Sequence, residues 1–91
     1  VEIEFDPVKD ATNIAKRGLS LRLAAVLLSG LHDVETDDRF DYGEQREIAT
    51  GRIGDRLFVC VYTKRGNVYR IISLRKANRR EVNAYRQSHQ G

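Results

Sequence analysis

The sequence predicts a small α+β domain, a short antiparallel sheet packed by helices. Three observations predict it. Capped helical segments stand at both ends of the chain. A run of three strand-like segments joined by short turns lies between them. The 91-residue length fits one core, so residues 1–91 read as a single domain.

The first helix has clear punctuation. Asp6 supplies an N-cap oxygen, Pro7 fits the first helical position, and Gly18 fits the left-handed position after the end. Lys16 and Arg17 complement the dipole of the last turn. Val8, Ala11, Ala15 and the following Leu19 keep helical spacing and are expected to face the core. Lys9, Asn13 and Lys16 then share a polar face. That face could line a cleft or hold the helix to an acidic neighbour through ion pairs. Ser20 caps a second helix to about Leu28, stopped by Gly30 and apolar almost all round, which suits a core position.

The middle of the chain is polar. An edge strand fits around Val34 to Thr36, and 41–44 (DYGE) reads as a turn. Arg46 to Arg52 is a short strand, Gly54-Asp55 a turn, and Leu57 to Thr63 the strongest strand, rich in β-branched and aromatic residues. A hairpin loop at Arg65-Gly66-Asn67 returns the chain along Tyr69 to Arg75. Strict alternation there puts Tyr69, Ile71, Ser73 and Arg75 on one face and Arg70, Ile72 and Leu74 on the other. Asn78 and Glu81 fit a capping box that opens a third helix, with Val82 and Tyr85 as its apolar contacts. The order expected is α-α-β-β-β-α with an extra edge strand as an option.

Composition excludes several classes. Hydrophobic residues at 41% and charged residues at 32% describe a folded chain rather than a disordered one. No apolar run approaches a membrane span and no signal peptide is recognisable; with the single cysteine, Cys60, this points to the cytoplasm and to no membrane partner. His32 and His89 have no metal-ligand spacing with Cys60, and no glycine loop of a nucleotide-binding type occurs, so neither a metal nor a cofactor is expected.

Charge is sorted along the chain. Seven acids against two bases between Asp33 and Glu47 give −5, and eight bases against one acid between Lys64 and Arg86 give +7. A basic segment that dense suits a phosphate backbone, although a solvated face would show the same composition. RNA cleavage is chemistry this inventory permits. The substrate carries its own nucleophile, the 2′-hydroxyl, and the protein need only position it, move protons and neutralise charge with fixed guanidinium groups.

Three blocks carry a family resemblance. The first is Phe5-Asp6-Pro7-Val8-Lys9, Asn13 and Lys16-Arg17-Gly18-Leu19-Ser20; the second is Asp41-Tyr42-Gly43-Glu44, Arg46, Ala49 and Gly51. The third is Val61-Tyr62-Thr63, Arg65-Gly66, Arg70-Ile71-Ile72-Ser73 and Arg75-Lys76-Ala77, followed by Glu81 and Tyr85. In this order they resemble the BrnT-type toxins of bacterial type II toxin–antitoxin systems. Phe5 stands where that family usually has tryptophan, and Arg17 where it has histidine, which removes a proton-transfer group there. The resemblance implies a RelE-like fold and metal-independent, sequence-tolerant cleavage of mRNA that arrests translation and growth. It also implies a BrnA-type ribbon-helix-helix antitoxin, a toxin–antitoxin hetero-oligomer, and DNA binding only through the antitoxin. The ribosome is a possible further partner.

Arg75, at a strand end beside Lys76, is the first choice for the scissile phosphate, followed by Arg46 and Arg70, which interrupt apolar strands. Glu47 is preferred to Glu81 as the base because Glu81 is explained by its cap, and Tyr85 is a further proton-transfer group. Lys9, Asn13, Lys16, Tyr62, Arg65, Lys76 and Arg79 are expected to contact RNA. The competing reading is a non-catalytic RNA- or protein-binding module on the same scaffold.

Overall fold

The computed structural model describes residues 1–90. Its elements run β1 (Glu2–Glu4), α1 (Pro7–Arg17), a 3-10 turn (Leu21–Leu23), α2 (Ala24–Ser29), β2 (His32–Asp37), β3 (Arg46–Ile53), β4 (Arg56–Arg65), β5 (Val68–Lys76) and α3 (Arg79–Ser88). The five strands form one sheet in the order β1-β5-β4-β3-β2. The fold is α+β as expected, with two differences. The first three-residue strand was not foreseen, and it pairs parallel to β5, so the sheet is mixed rather than purely antiparallel. The optional edge strand is present as β2, antiparallel to β3.

The hairpins form where turn chemistry places them. Gly54 and Gly66 both adopt positive φ, at 66° and 61°, in the two-residue loops that join β3 to β4 and β4 to β5. Ala49, Cys60 and Leu74 lie opposite one another across three strands and are fully buried. Leu21, Ala24, Leu27 and Leu28 cover them to form the core. Gly51 lets α2 approach: a Cβ there would lie 2.9 Å from the His32 Cβ and 3.2 Å from Leu27. Not all of α2 is core, since Val26 is half exposed.

Helix α1 reverses the expected orientation. Val8 is 72% exposed, and Ala11 and Ala15 also face solvent. The polar residues Asp10 and Asn13 point inward instead. The Asn13 amide donates to the Leu19 and Leu74 carbonyls at 2.8 and 3.0 Å. Asp10 accepts from the Ser20 hydroxyl and the Leu21 N–H at 3.0 and 2.7 Å. Strand β1 pairs only with Val68, Tyr69 and Arg70, leaving the Leu74 carbonyl beyond its reach. Asn13 supplies the missing donor. Docking by hydrogen bonds has replaced docking by apolar contact.

Strand β5 also departs from strict alternation. Tyr62 pairs with Ile71 and Val61 with Ser73, so Ile72 is an extra residue in a β-bulge. The bulge shifts the phase. Ile71 and Leu74 both enter the core, while Ser73 and Arg75 join Arg70 on the opposite face.

Candidate functional site

Helix α3 lies over the sheet face opposite the core, and the two border a groove of about 480 Å³. Its floor is Ile48 and Thr50 of β3, Val59 and Val61 of β4, and Ser73 and Arg75 of β5. Glu81, Ala84, Tyr85 and Ser88 of α3 form one wall, and Asp33 and Glu35 of β2 the other. Arg17, at the end of α1, and Arg39, in the loop after β2, complete the rim.

Arg75 is fixed by Glu81. Two N–H···O contacts of 2.7 Å join the guanidinium to both carboxylate oxygens. Glu81 is itself set by the capping box, accepting from the Asn78 N–H at 2.9 Å while its own N–H donates to the Asn78 side chain at 2.8 Å. The Arg75 hydrogen bonds hold the Glu81 carboxyl below its ordinary range, against the opposing effect of burial. The same contact raises Arg75, while the nearby positive charge of Arg39 acts in the other direction. Two guanidinium groups therefore sense each other at this groove.

Arg39 is anchored by Asp37, whose carboxylate accepts from Nε and Nη2 at 2.8 and 2.9 Å. The Tyr42 hydroxyl donates to the same carboxylate at 3.2 Å. These contacts, led by the Arg39 hydrogen bonds, bring Asp37 from 3.8 to about 2. On the opposite rim Tyr85 stacks on His89 with ring centroids 4.1 Å apart, and His89 Nε2 lies 3.0 Å from the Asp33 carboxylate.

The expected site residues divide into separate groups. Arg75 and Tyr85 meet in the groove. Arg46, opposite Asp37, and Arg70, opposite Thr63, occupy the other end of the same sheet face. Arg46 lies over the Tyr42 ring at 3.9 Å and pairs with Glu44 at 3.8 Å; Arg70 pairs with Glu4 at 3.6 Å. Glu47, opposite Tyr62, is on the core-side face and so is not brought to Arg75. Its negative charge, with burial as the larger cause, helps push the Tyr62 hydroxyl up to about 12.

Two expected RNA contacts lie inside the protein. Tyr62 is 3% exposed and packs edge-on against Tyr69, so its ring faces the core rather than a base. Asn13 is occupied by backbone carbonyls. Lys9 and Lys16 are exposed on α1 whereas Asn13 between them is buried, and no ion pair to the acidic segment holds the two lysines among the described residues. Arg65 is exposed at the β4–β5 hairpin, whereas Lys76 and Arg79 line a second hollow behind α3. Burial pushes the Cys60 thiol up to about 12, as suits an inert core cysteine.

Sequence reasoning missed Arg39, Arg17 and Ser73. Arg39 sits in an acidic stretch, where a lone base reads as charge balance; its signal was the Asp37-x-Arg39 spacing. Arg17 registered as a helix-end cation and as the replacement for the family's histidine, and Ser73 was placed on the face of Arg75 without being given a role.

The matched segment settles the family. Residues 5–81 fit the family model described as the BrnT ribonuclease toxin of type II toxin–antitoxin systems. The chain belongs to the BrnT family. No curated protein matches the chain. Arg17, Arg39, Arg75 and Glu81 all fall within the BrnT segment, whereas Tyr85 and His89 lie beyond it. Membership of a type II toxin family brings an antitoxin partner with it. No helix among the described residues is long and apolar enough to cross a membrane.

Proposed function

We propose that this BrnT chain cuts messenger RNA in the groove between α3 and the open sheet face, and so inhibits translation. The observation that carries this reading is the convergence of Arg75 and Arg39 on one groove within the family's matched segment. In the proposed reaction the RNA 2′-oxygen attacks the adjacent phosphorus and the P–O5′ bond breaks. A 2′,3′-cyclic phosphate and a 5′-hydroxyl result. One proton leaves the 2′-hydroxyl and another reaches the departing O5′. Arg75 and Arg39 balance the charge that builds on the phosphate oxygens.

Glu81 replaces Glu47 as the base in this reading, because it lies beside Arg75. When Arg75 turns to a phosphate, Glu81 loses the contact that depresses its proton affinity and becomes a better acceptor. Tyr85, one turn along α3 from Glu81 in the groove wall, is the candidate to give O5′ its proton. The reading includes metal independence, a RelE-like fold, a cytoplasmic location, and neutralisation by a BrnA-type ribbon-helix-helix antitoxin through which the complex meets DNA.

Single-stranded RNA incubated with purified toxin, with and without ribosomes and chelator, tests it. Arg75→Ala is expected to slow cleavage by about 10²- to 10³-fold. Wild-type protein that binds RNA but leaves it intact, even on ribosomes, is a binding module instead. Loss of wild-type cleavage in chelator removes the metal-independent part of the reading.

A further inference from the structure

A second hollow, of about 720 Å³, opens on the other side of α3. Arg52 and Arg56 border it from the β3–β4 hairpin, Lys76 from the end of β5, and Arg79 and Arg86 from α3, against one acid, Asp55. All five cations are exposed. Among the described residues none of them pairs with a carboxylate; Arg52 reaches only the Asp55 backbone carbonyl, at 3.4 Å. Arg39, Arg46, Arg70 and Arg75 differ in this respect, since each faces an acid.

Unpaired like charges around one concavity repel, and a polyanion relieves that repulsion while releasing its own counterions. Leu57, Ala77 and Val82 add apolar surface for the sugar–base side of a nucleotide. Helix α3 forms a wall of both cavities, through Glu81 and Tyr85 on one side and Val82 and Arg86 on the other. A helix is about 10–12 Å across with its side chains, so roughly three nucleotides bridge the two.

We propose that this hollow binds backbone phosphates of the RNA strand flanking the cleavage groove. The inference rests on the reading that the groove takes RNA. Arg52, Arg56 and Arg86 thereby become substrate-positioning residues that the family resemblance does not assign.

The test measures binding of a short 2′-O-methyl oligouridine, which lacks the nucleophile and stays intact, as a function of salt. Each lost phosphate contact lowers the salt slope by about 0.7. An Arg56→Gln/Arg86→Gln double variant is expected to bind about tenfold more weakly at low salt, with the slope reduced by about 1.4. The Arg56→Lys/Arg86→Lys variant is expected to keep the slope. Should the double variant fail to fold, the two single variants carry the same test, each with half the change in slope. Unchanged affinity and slope overturn the proposal, as does a loss of antitoxin binding with RNA binding intact. Cleavage of all-ribose RNA by the wild type is scored in parallel. If the wild type cuts RNA while the variants bind normally, the hollow alone fails. If it never cuts but the slopes change as expected, the cleavage reading alone fails.

Discussion

Asn13 is the residue on which the two halves of the structure meet. Its amide joins the loop after α1 to the C-terminal end of β5, at the Leu74 carbonyl two residues before Lys76. Asn13→Ala leaves two carbonyls without that donor, and the cost expected is about 2 kcal/mol, read as a lower urea midpoint at constant m. Asp37 gives a second prediction at this scale. Its folded value is depressed from 3.8 to about 2, so its contribution is complete above pH 4. It is lost as the pH falls from about 4 toward 2. Acid unfolding followed by circular dichroism is expected to be less steep over that window in Asp37→Asn. The variant also frees Arg39, so its cleavage rate reports whether an anchored guanidinium matters.

At the scale of elements, α3 stands apart from the rest. None of its residues is buried, whereas β4 holds a run of buried residues from Leu57 to Cys60. Contacts at its two ends, Arg75 with Glu81 and Asp33 with His89, tie it over the groove. A helix held by so few contacts opens below the global unfolding free energy. Hydrogen exchange is expected to show α3 amides exchanging well before those of β4, and Arg75→Ala is expected to widen the difference. Equal protection of the two elements would mean that α3 is part of the core unit and not a movable wall. The bulge at Ile72 belongs to this scale too, because it delivers Ser73 and Arg75 to the groove face.

For the whole molecule, size and charge set the behaviour. A domain of this length has limited stability, and an antitoxin that binds the folded toxin but not the unfolded chain raises it. At a hundredfold excess over Kd the antitoxin adds about 2.7 kcal/mol, which raises Tm by roughly 10–20 °C for a chain of this size. Differential scanning calorimetry of the toxin with and without antitoxin measures this rise. A Tm unchanged by a saturating antitoxin would show that the pair is not cognate. The net charge of +3 conceals an acidic β2–β3 region and a basic region around α3. The groove draws on both, with three acids and three arginines in its lining, whereas the hollow behind α3 has five cations against one acid.

The sequence by itself determined what depends on near neighbours along the chain. The Asp6 cap, Gly18, the hairpin turns and the Asn78–Glu81 box all involve residues within a few positions of one another, and local sterics and hydrogen bonding decide them. The spaced blocks also carried the family, because they cover most of the chain in order. Tertiary structure decided everything that depends on distant partners. Periodicity cannot tell that Asn13 satisfies a carbonyl 61 residues away, so the outward face of α1 read as the inward one. Nor can it place a bulge that pairing with β4 imposes, and so it grouped Ser73 and Arg75 with Ile71, and Leu74 with Arg70. In one dimension the cap accounted for Glu81 and left Glu47 as the preferred base. In three, the sheet separates Glu47 from Arg75 and the capping box brings Glu81 against it, because a side chain's neighbours are set by strand register and helix docking rather than by sequence distance.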